Sequence, residues 1–384
     1  MQRAGIGLGV WMAAVALAGA LLSAQVDVKP IAPPAAPLPT EAASEGVSKF
    51  SFIAYGDTRS GASPSDAEVL HPEHTKVMDR MLASIRELST SAFPVRFVLQ
   101  SGDAVLRGAT AEMWNVGFSP IVERLTRDAN IPYFFTVGNH DVTTQPLGDP
   151  QRTLGLRNTL TAMAHLIPPE GSPRRLDGYP TYAFGYGNTF AIAFDSNVAS
   201  DTAQLAWVTS QLEHLDRARY RHVIAFFHHP VFSSGPHGGT QDKVEGSTAA
   251  LRSLYMPLFR KHHVDLLITG HDHLFDHWIE RYEDGGRAYR MDAIVSGGGG
   301  APVYSYAGEP DLTAYVADAS AAKVQVQHLT KPGTTADENP HHFVVVRVDG
   351  DRLSVEVIAI GDTPFTPYPG GLSRIVLTDK KSTS

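Results

Sequence analysis

Five places along this 384-residue chain carry side chains that bind cations, each just after a short apolar run. They are Gly56-Asp57, Gly102-Asp103, Gly138-Asn139-His140-Asp141, His228-His229-Pro230 and Gly270-His271-Asp272-His273. Taken singly, each has an ordinary reading. Gly-Asp is a common turn dipeptide, Asn and Asp close turns through their own side chains, and a strand-end His is often a packed core residue. His271-x-His273 says most by itself, because alternate residues of extended backbone point to the same side. Together the clusters supply Asp, Asp, Asn, His and His-x-His in one order. Carboxylate, amide-oxygen and imidazole donors of this kind suit a pair of hard-to-borderline cations. Paired cations serve in-line attack on phosphorus, where they hold a hydroxide and neutralise phosphoryl oxygens.

Composition narrows the chemistry further. The chain has no cysteine and 17 histidines. Thiolate nucleophiles, thiolate metal sites and disulfides are therefore excluded. The formal net charge of −8 argues against a nucleic-acid partner, which calls for a basic stripe. It is compatible with a small phosphorylated substrate, since bound metal ions reverse the sign locally.

The clusters need elements to position them. Strand-type runs at 50–55, 95–100, 133–137, 223–227 and 264–268 each end at one cluster. Helical periodicity marks Lys76 to Leu88, Gln204 to Leu215 and Leu251 to His262 between them. Two hairpins are expected, turning at Gly187-Asn188 and at Asp349-Gly350. Alternating strands and helices imply an α/β fold, a buried sheet with helices on both sides and ligands beyond the carboxyl ends of its strands. The polar stretch from Ala301 to Pro340 has weak periodicity and reads as a long loop, a lid or rim shaping substrate choice.

With these motifs in order, the chain resembles the calcineurin-like metallophosphoesterases, and within them the purple acid phosphatase-like branch. The resemblance runs from about Lys49 to Val303 and takes in Phe194-Asp195-Ser196, Trp207, Leu212 and Ser296-Gly297-Gly298-Gly299. It implies a four-layer α/β/β/α sandwich with the metal site at the C-terminal ends of the strands. It also implies that Asp57 and His273 bind one metal ion, and Asn139, His228 and His271 the other, with Asp103 as the bridge. His140 would be the catalytic residue near the phosphate, an electrostatic partner or proton donor to the leaving group. A metal-bound hydroxide would be the nucleophile, and Fe, Mn or Zn the expected ions.

Three departures qualify the resemblance. Many members carry Asp-x-His in the first motif, whereas here it is Asp57-Thr58-Arg59. Arginine is permanently charged and does not ligate metals, so the pair is expected to be asymmetric. The tyrosine that purple acid phosphatases carry three residues after the bridging Asp is Leu106 here. The fragment from Gly102 to Gly108 also resembles the serine/threonine phosphatase pattern, without the other signatures of that group. Arg59, Arg107 and His237 are candidate substrate-binding residues, weighed against surface ion pairs for the arginines and a solvated loop for the histidine.

The N-terminus reads as an export signal, residues 1–24. Arg3 begins it, Ile6 through Leu22 form its apolar run, and Leu22-Ser23-Ala24 is the cleavage site. An uncleaved membrane anchor is the alternative. Residues 25–48 carry Pro30, Pro33, Pro34, Pro37 and Pro39 and read as an extended linker, leaving 49–384 as the phosphoesterase domain. The expected protein is an exported, periplasmic or secreted phosphomonoesterase. The alternatives are a phosphodiesterase or nucleotidase on the same scaffold, and a non-catalytic binding protein with a decayed site.

Overall fold

The computed structural model describes residues 27–61, 69–239, 244–361 and 364–380. The expected export signal lies outside them. Among the described residues no helix is long and apolar enough to cross a membrane.

Among the described residues fourteen strands form two sheets rather than the one that strand–helix alternation suggests. The first sheet contains β1 (Lys49–Tyr55), β2 (Val95–Gln100), β3 (Tyr133–Phe135), β12 (His342–Asp349), β13 (Arg352–Ala359) and β14 (Arg374–Asp379). The second is built from β4 (Arg175–Leu176), β5 (Thr181–Tyr186), β6 (Thr189–Ala193), β7 (His222–Phe226) and β8 (Leu266–Thr269). The hairpin of β9 (Phe275–Asp284) and β10 (Arg287–Ser296), together with β11 (Gln325–Thr330), completes it. Their orders are β14-β13-β12-β1-β2-β3 and β11-β9-β10-β8-β7-β6-β5-β4.

Side-chain alternation explains the layering. Tyr182, Phe184 and Tyr186 of β5 enter a core shared with Phe50 and Phe52 of β1, while Ala183 faces a second core. In β7 and β8 the same period sends Ile224, Phe226, Leu266 and Ile268 between the sheets, and Val223, Ala225 and Leu267 outward. That outward face is covered by Val208 and Leu212 of the helix Thr202–Glu213 and by Met256 and Phe259 of the helix Met256–Lys261. Val77, Met78 and Met81 of the helix Pro72–Leu88 pack with the first sheet. The result is the four-layer α/β/β/α sandwich. Strands buried on both faces read as continuous apolar runs, so the sequence shows them as strands without showing which sheet each joins.

Two expectations are corrected. The proline-rich segment is extended, yet from Asp27 onward it is not a free linker. Ile31 is fully buried in the core cluster that contains the first sheet and the helices packed on it, and its N–H donates to the Ala162 carbonyl at 2.9 Å. Farther along, the Glu41 carboxylate accepts from Arg174 at 2.7 and 2.8 Å and from the Tyr220 hydroxyl at 2.7 Å. Proline removes donors that would otherwise need partners, and the few remaining apolar side chains dock individually. The stretch 301–340 is likewise not a structureless lid. It holds the helix Thr313–Asp318 and β11, whose His328 ring stacks on Trp278 at 3.8 Å. As a half-exposed edge strand, β11 carries little hydrophobic alternation.

Candidate metal centre

All five clusters meet where the parallel strands of the two sheets end. Asp57, Asp103 and Asn139 follow β1, β2 and β3, and His228, His271 and His273 follow β7 and β8. The chain turns sharply at three of these residues. Asp57, Asp103 and His271 have φ of 60°, 54° and 70°, in the left-handed region. Such backbone costs about 1–3 kcal/mol per residue and persists where surrounding structure enforces it. Two glycines make the crowding possible. A Cβ on Gly102 would stand 2.7 Å from His228 Nδ1, and one on Gly138 would stand 2.0 Å from Asp103 Oδ1.

Each histidine ligand is oriented by a hydrogen bond from its outer nitrogen. His228 Nδ1 donates to the Ser101 carbonyl at 3.0 Å, and His273 Nδ1 to the Pro302 carbonyl at 2.7 Å. His271 Nε2 donates to the Glu245 carboxylate at 2.9 Å. Their inner nitrogens face one another and the carboxylates. His228 Nε2 lies 3.1 Å from His271 Nδ1, 2.9 Å from Asn139 Oδ1 and 3.4 Å from Asp103 Oδ1. His273 Nε2 lies 3.5 Å from Asp57 Oδ1. Asp57 also accepts the His271 backbone N–H at 2.9 Å.

Burial sets the charge states. It pushes His228 and His273 down to about 3, with the Arg59 charge adding to the effect at His273, so both rings are neutral near pH 7. Asp57 is pushed well above the usual carboxylate range by burial and by the Asp103 charge. Burial opposes ionisation of Asp103 too, but His228, His140 and Arg59 beside it hold its carboxyl below that range.

This arrangement fits a cation. The inner nitrogens of His228 and His271 face each other, an amide oxygen and a carboxylate, a cluster of electron-pair donors that a single cation can share. Asp57, Asp103 and His228 alone offer donor atoms within 4.8 Å of one another. The absence of thiolates leaves an oxygen and nitrogen donor set, suited to borderline metal ions.

Comparison with known proteins agrees. The model of the calcineurin-like phosphoesterase family matches residues 70–275, more than half of the chain. The chain belongs to this family. Among curated proteins it is similar to purple acid phosphatase 1 of Ipomoea batatas, 26% identical over 148 residues, which are 38% of this chain and 28% of that protein. Among solved structures it is similar in fold to purple acid phosphatase PPD1 from yellow lupin (Lupinus luteus) seeds. That likeness has a TM-score of 0.60 at 16% identity, and covers 87% of this chain and 55% of the lupin chain. The chain thus spans about half the length of the lupin protein and less than a third of the Ipomoea one.

Within this phosphoesterase fold the other candidate residues separate. Arg59 is buried inside the centre, with Nε 3.5 Å from Asp103 Oδ2 and Nη2 3.5 Å from His273 Nε2. His140 donates its backbone N–H to Asp103 at 2.9 Å, and its Nδ1 to the Leu106 carbonyl at 2.9 Å. His237 stands at the rim, 4.3 Å from the His271 ring between centroids, with Nδ1 on Glu245 at 2.8 Å. That bond raises the His237 pKa above its ordinary value. Arg107 lies on the loop after Asp103 with an exposed side chain. Of the supporting residues, Asp141 accepts the Gly138 and Val105 N–H groups, and Asp272 accepts from Ser233 and the His237 N–H. His229 Nδ1 meets Ser196 at 2.9 Å, but the ring does not turn away from the centre: it lies 4.4 Å from the His271 ring, with Nε2 4.0 Å from Glu245.

Two residues are absent from the sequence reading. Glu245 joins His271 to His237, one carboxylate oxygen on each ring. Tyr304 stacks on His273 with centroids 4.1 Å apart. Glu245 lies 26 residues from one partner and eight from the other, and Tyr304 falls in the stretch read as a lid, so no local pattern marks either.

Proposed function

We propose that this chain is an exported phosphoesterase that uses two metal ions to hydrolyse monoesters of a small phosphorylated substrate. The observation that carries this reading is the convergence of bare imidazole nitrogens and carboxylates on Asp103. Asp57 and His273 would hold one ion, Asn139, His228 and His271 the other, and Asp103 would join them. Iron, manganese and zinc all suit these donors. When bound, the ions supply water activation and neutralise charge on the phosphoryl oxygens.

The chain's own residues do the rest. The Leu106 carbonyl accepts a hydrogen bond from His140 Nδ1–H, which leaves Nε2 to hold or give a proton at the leaving-group oxygen. Arg59 meets a phosphoryl oxygen from the Asp103 side, His237 from the opposite rim, and Arg107 from the loop mouth. Export is supported by the basic start and apolar run of residues 1–24, and membrane contact follows only if that segment stays attached.

The test is a comparison of mono-aryl and bis-aryl phosphates with the purified protein, before and after chelator treatment and after readdition of Mn, Zn or Fe. Faster hydrolysis of the monoester, lost on chelation and restored by metal, is expected. A preference for the diester would move the reading to a phosphodiesterase. Fewer than two metal ions per chain together with no turnover would sink the enzymatic reading in favour of a binding protein, for which the buried Arg59 is the structural argument.

A further inference from the structure

The end of the molecule opposite the metal centre holds a cationic cleft for which phosphoester hydrolysis has no use. β9 and β10 pair antiparallel over ten residues each, from Phe275 and Ser296 beside the centre to Asp284 and Arg287 at the far end. At about 3.3 Å per residue, roughly 30 Å separates the two ends. There the hairpin tip, β14 and the loop before β7 enclose a cleft of about 1090 Å³. Arg217, Arg221, Arg281, Arg287, Arg290 and Lys380 line it, against the carboxylates of Asp265 and Asp379. In a chain of net charge −8 this is a local reversal of sign.

Half of those cations are matched by acids. Arg221 pairs with Asp351 at 2.9 Å, Arg290 with Asp292 at 2.6 Å and Lys380 with Asp265 at 2.8 Å. The other three are not. Arg217 donates from Nη2 to the His263 carbonyl at 3.5 Å, while its Nη1 is buried with no hydrogen-bond partner. Burial also holds the Arg217 pKa below its ordinary value. Arg281 reaches the neutral amide of Gln327 at 2.7 Å, and Arg287 is exposed at the hairpin tip. Tyr282 and Tyr289 wall the cleft on one side, Tyr289 stacking on His263 at 3.9 Å. His263 in turn pairs with Asp284 at 2.8 Å.

A guanidinium left with an unmet donor in a concave site is poised for an oxyanion, and its planar fork matches phosphate. The volume exceeds what one phosphate fills, and the unmatched arginines come from separate segments. We propose that this cleft is a second anion site, taking a small solute that carries two or more phosphate groups. Its occupation is independent of the metal ions.

Calorimetric titration of the full chain with methylenediphosphonate, which has no ester to hydrolyse, tests this. Binding that survives chelator treatment and weakens as salt is raised is expected. Replacing Arg217→Gln and Arg281→Gln together is expected to weaken it at least about tenfold, with aryl phosphate turnover unchanged. If the half-buried Arg217 proves necessary for folding, the exposed pair Arg281→Gln and Arg287→Gln should give a loss of the same order. No binding after chelation, or binding indifferent to the substitutions that fold, overturns the proposal.

Discussion

In the proposed metal centre Asn139, His228 and His271 would make one half, Asp57 and His273 beside Arg59 the other, and Asp103 stands between them. The first half is a cage of donor atoms: His271 Nδ1 and Asn139 Oδ1 lie 3.1 and 2.9 Å from His228 Nε2, with no side-chain cation among these three residues. The second half already has a cation. Arg59 lies 3.5 Å from both Asp103 and His273, on the side where the family's first motif often places an imidazole. A fixed guanidinium repels a divalent ion bound nearby and shares the same carboxylate. If both halves hold metal as proposed, the difference implies two sites of unequal appetite for it, the inequality residing in a single side chain.

The comparison can be broken most severely at its shared member. Asp103→Asn is expected to lower aryl phosphate hydrolysis by about 10³-fold or more, since both ions lose a common anion. Near-wild-type turnover would remove Asp103 from the bridging role. Next comes the support of the first half. Glu245→Gln keeps size but can accept a proton from only one of the two rings, and loss of such outer partners costs about 10–100-fold in metal affinity or activity. Equilibrium dialysis should find the tighter ion weakened by that factor, and unchanged affinity would refute the claim that Glu245 orients His271.

A smaller effect in the opposite direction is expected in the second half. Arg59→Ala should tighten the weaker ion by about tenfold, because the competing positive charge is gone. Metal titration of this variant showing the same two affinities as wild type would mean that the halves differ for another reason. The smallest effect belongs to the rim. His237→Ala should raise KM by about fivefold with little change in kcat, the result of losing one charge-assisted contact to substrate. A drop in kcat alone would place His237 in the chemistry instead.

The features legible in the sequence share one property: their signal is local. Asp57, Asp103, Asn139 and the three histidines stand at the ends of short apolar runs, and the run itself marks the strand that carries each. The hairpin at Gly187-Asn188 formed where turn chemistry put it, joining β5 to β6, whereas the one expected at Asp349-Gly350 turns one residue later, at Gly350-Asp351, because Asp349 still pairs with Arg352. Ile31 was not legible, because one apolar residue among prolines has no periodicity, yet it is fully buried in the core. β11 was missed because an edge strand with one exposed face resembles a loop in composition.

Residue type and order were therefore enough to nominate the candidate donors, the strand that precedes each of them and the unusual arginine after Asp57. Tertiary structure decided the rest. It divided the strands between two sheets, so that three donors arrive from each side of the seam, and it pressed three ligand residues into left-handed backbone. It also brought Glu245, Tyr304 and the Pro302 carbonyl from distant segments onto the backs of the histidines. A ligand's identity is a property of one residue. Its orientation depends on which nitrogen meets which oxygen across the fold, and only the packed chain sets that.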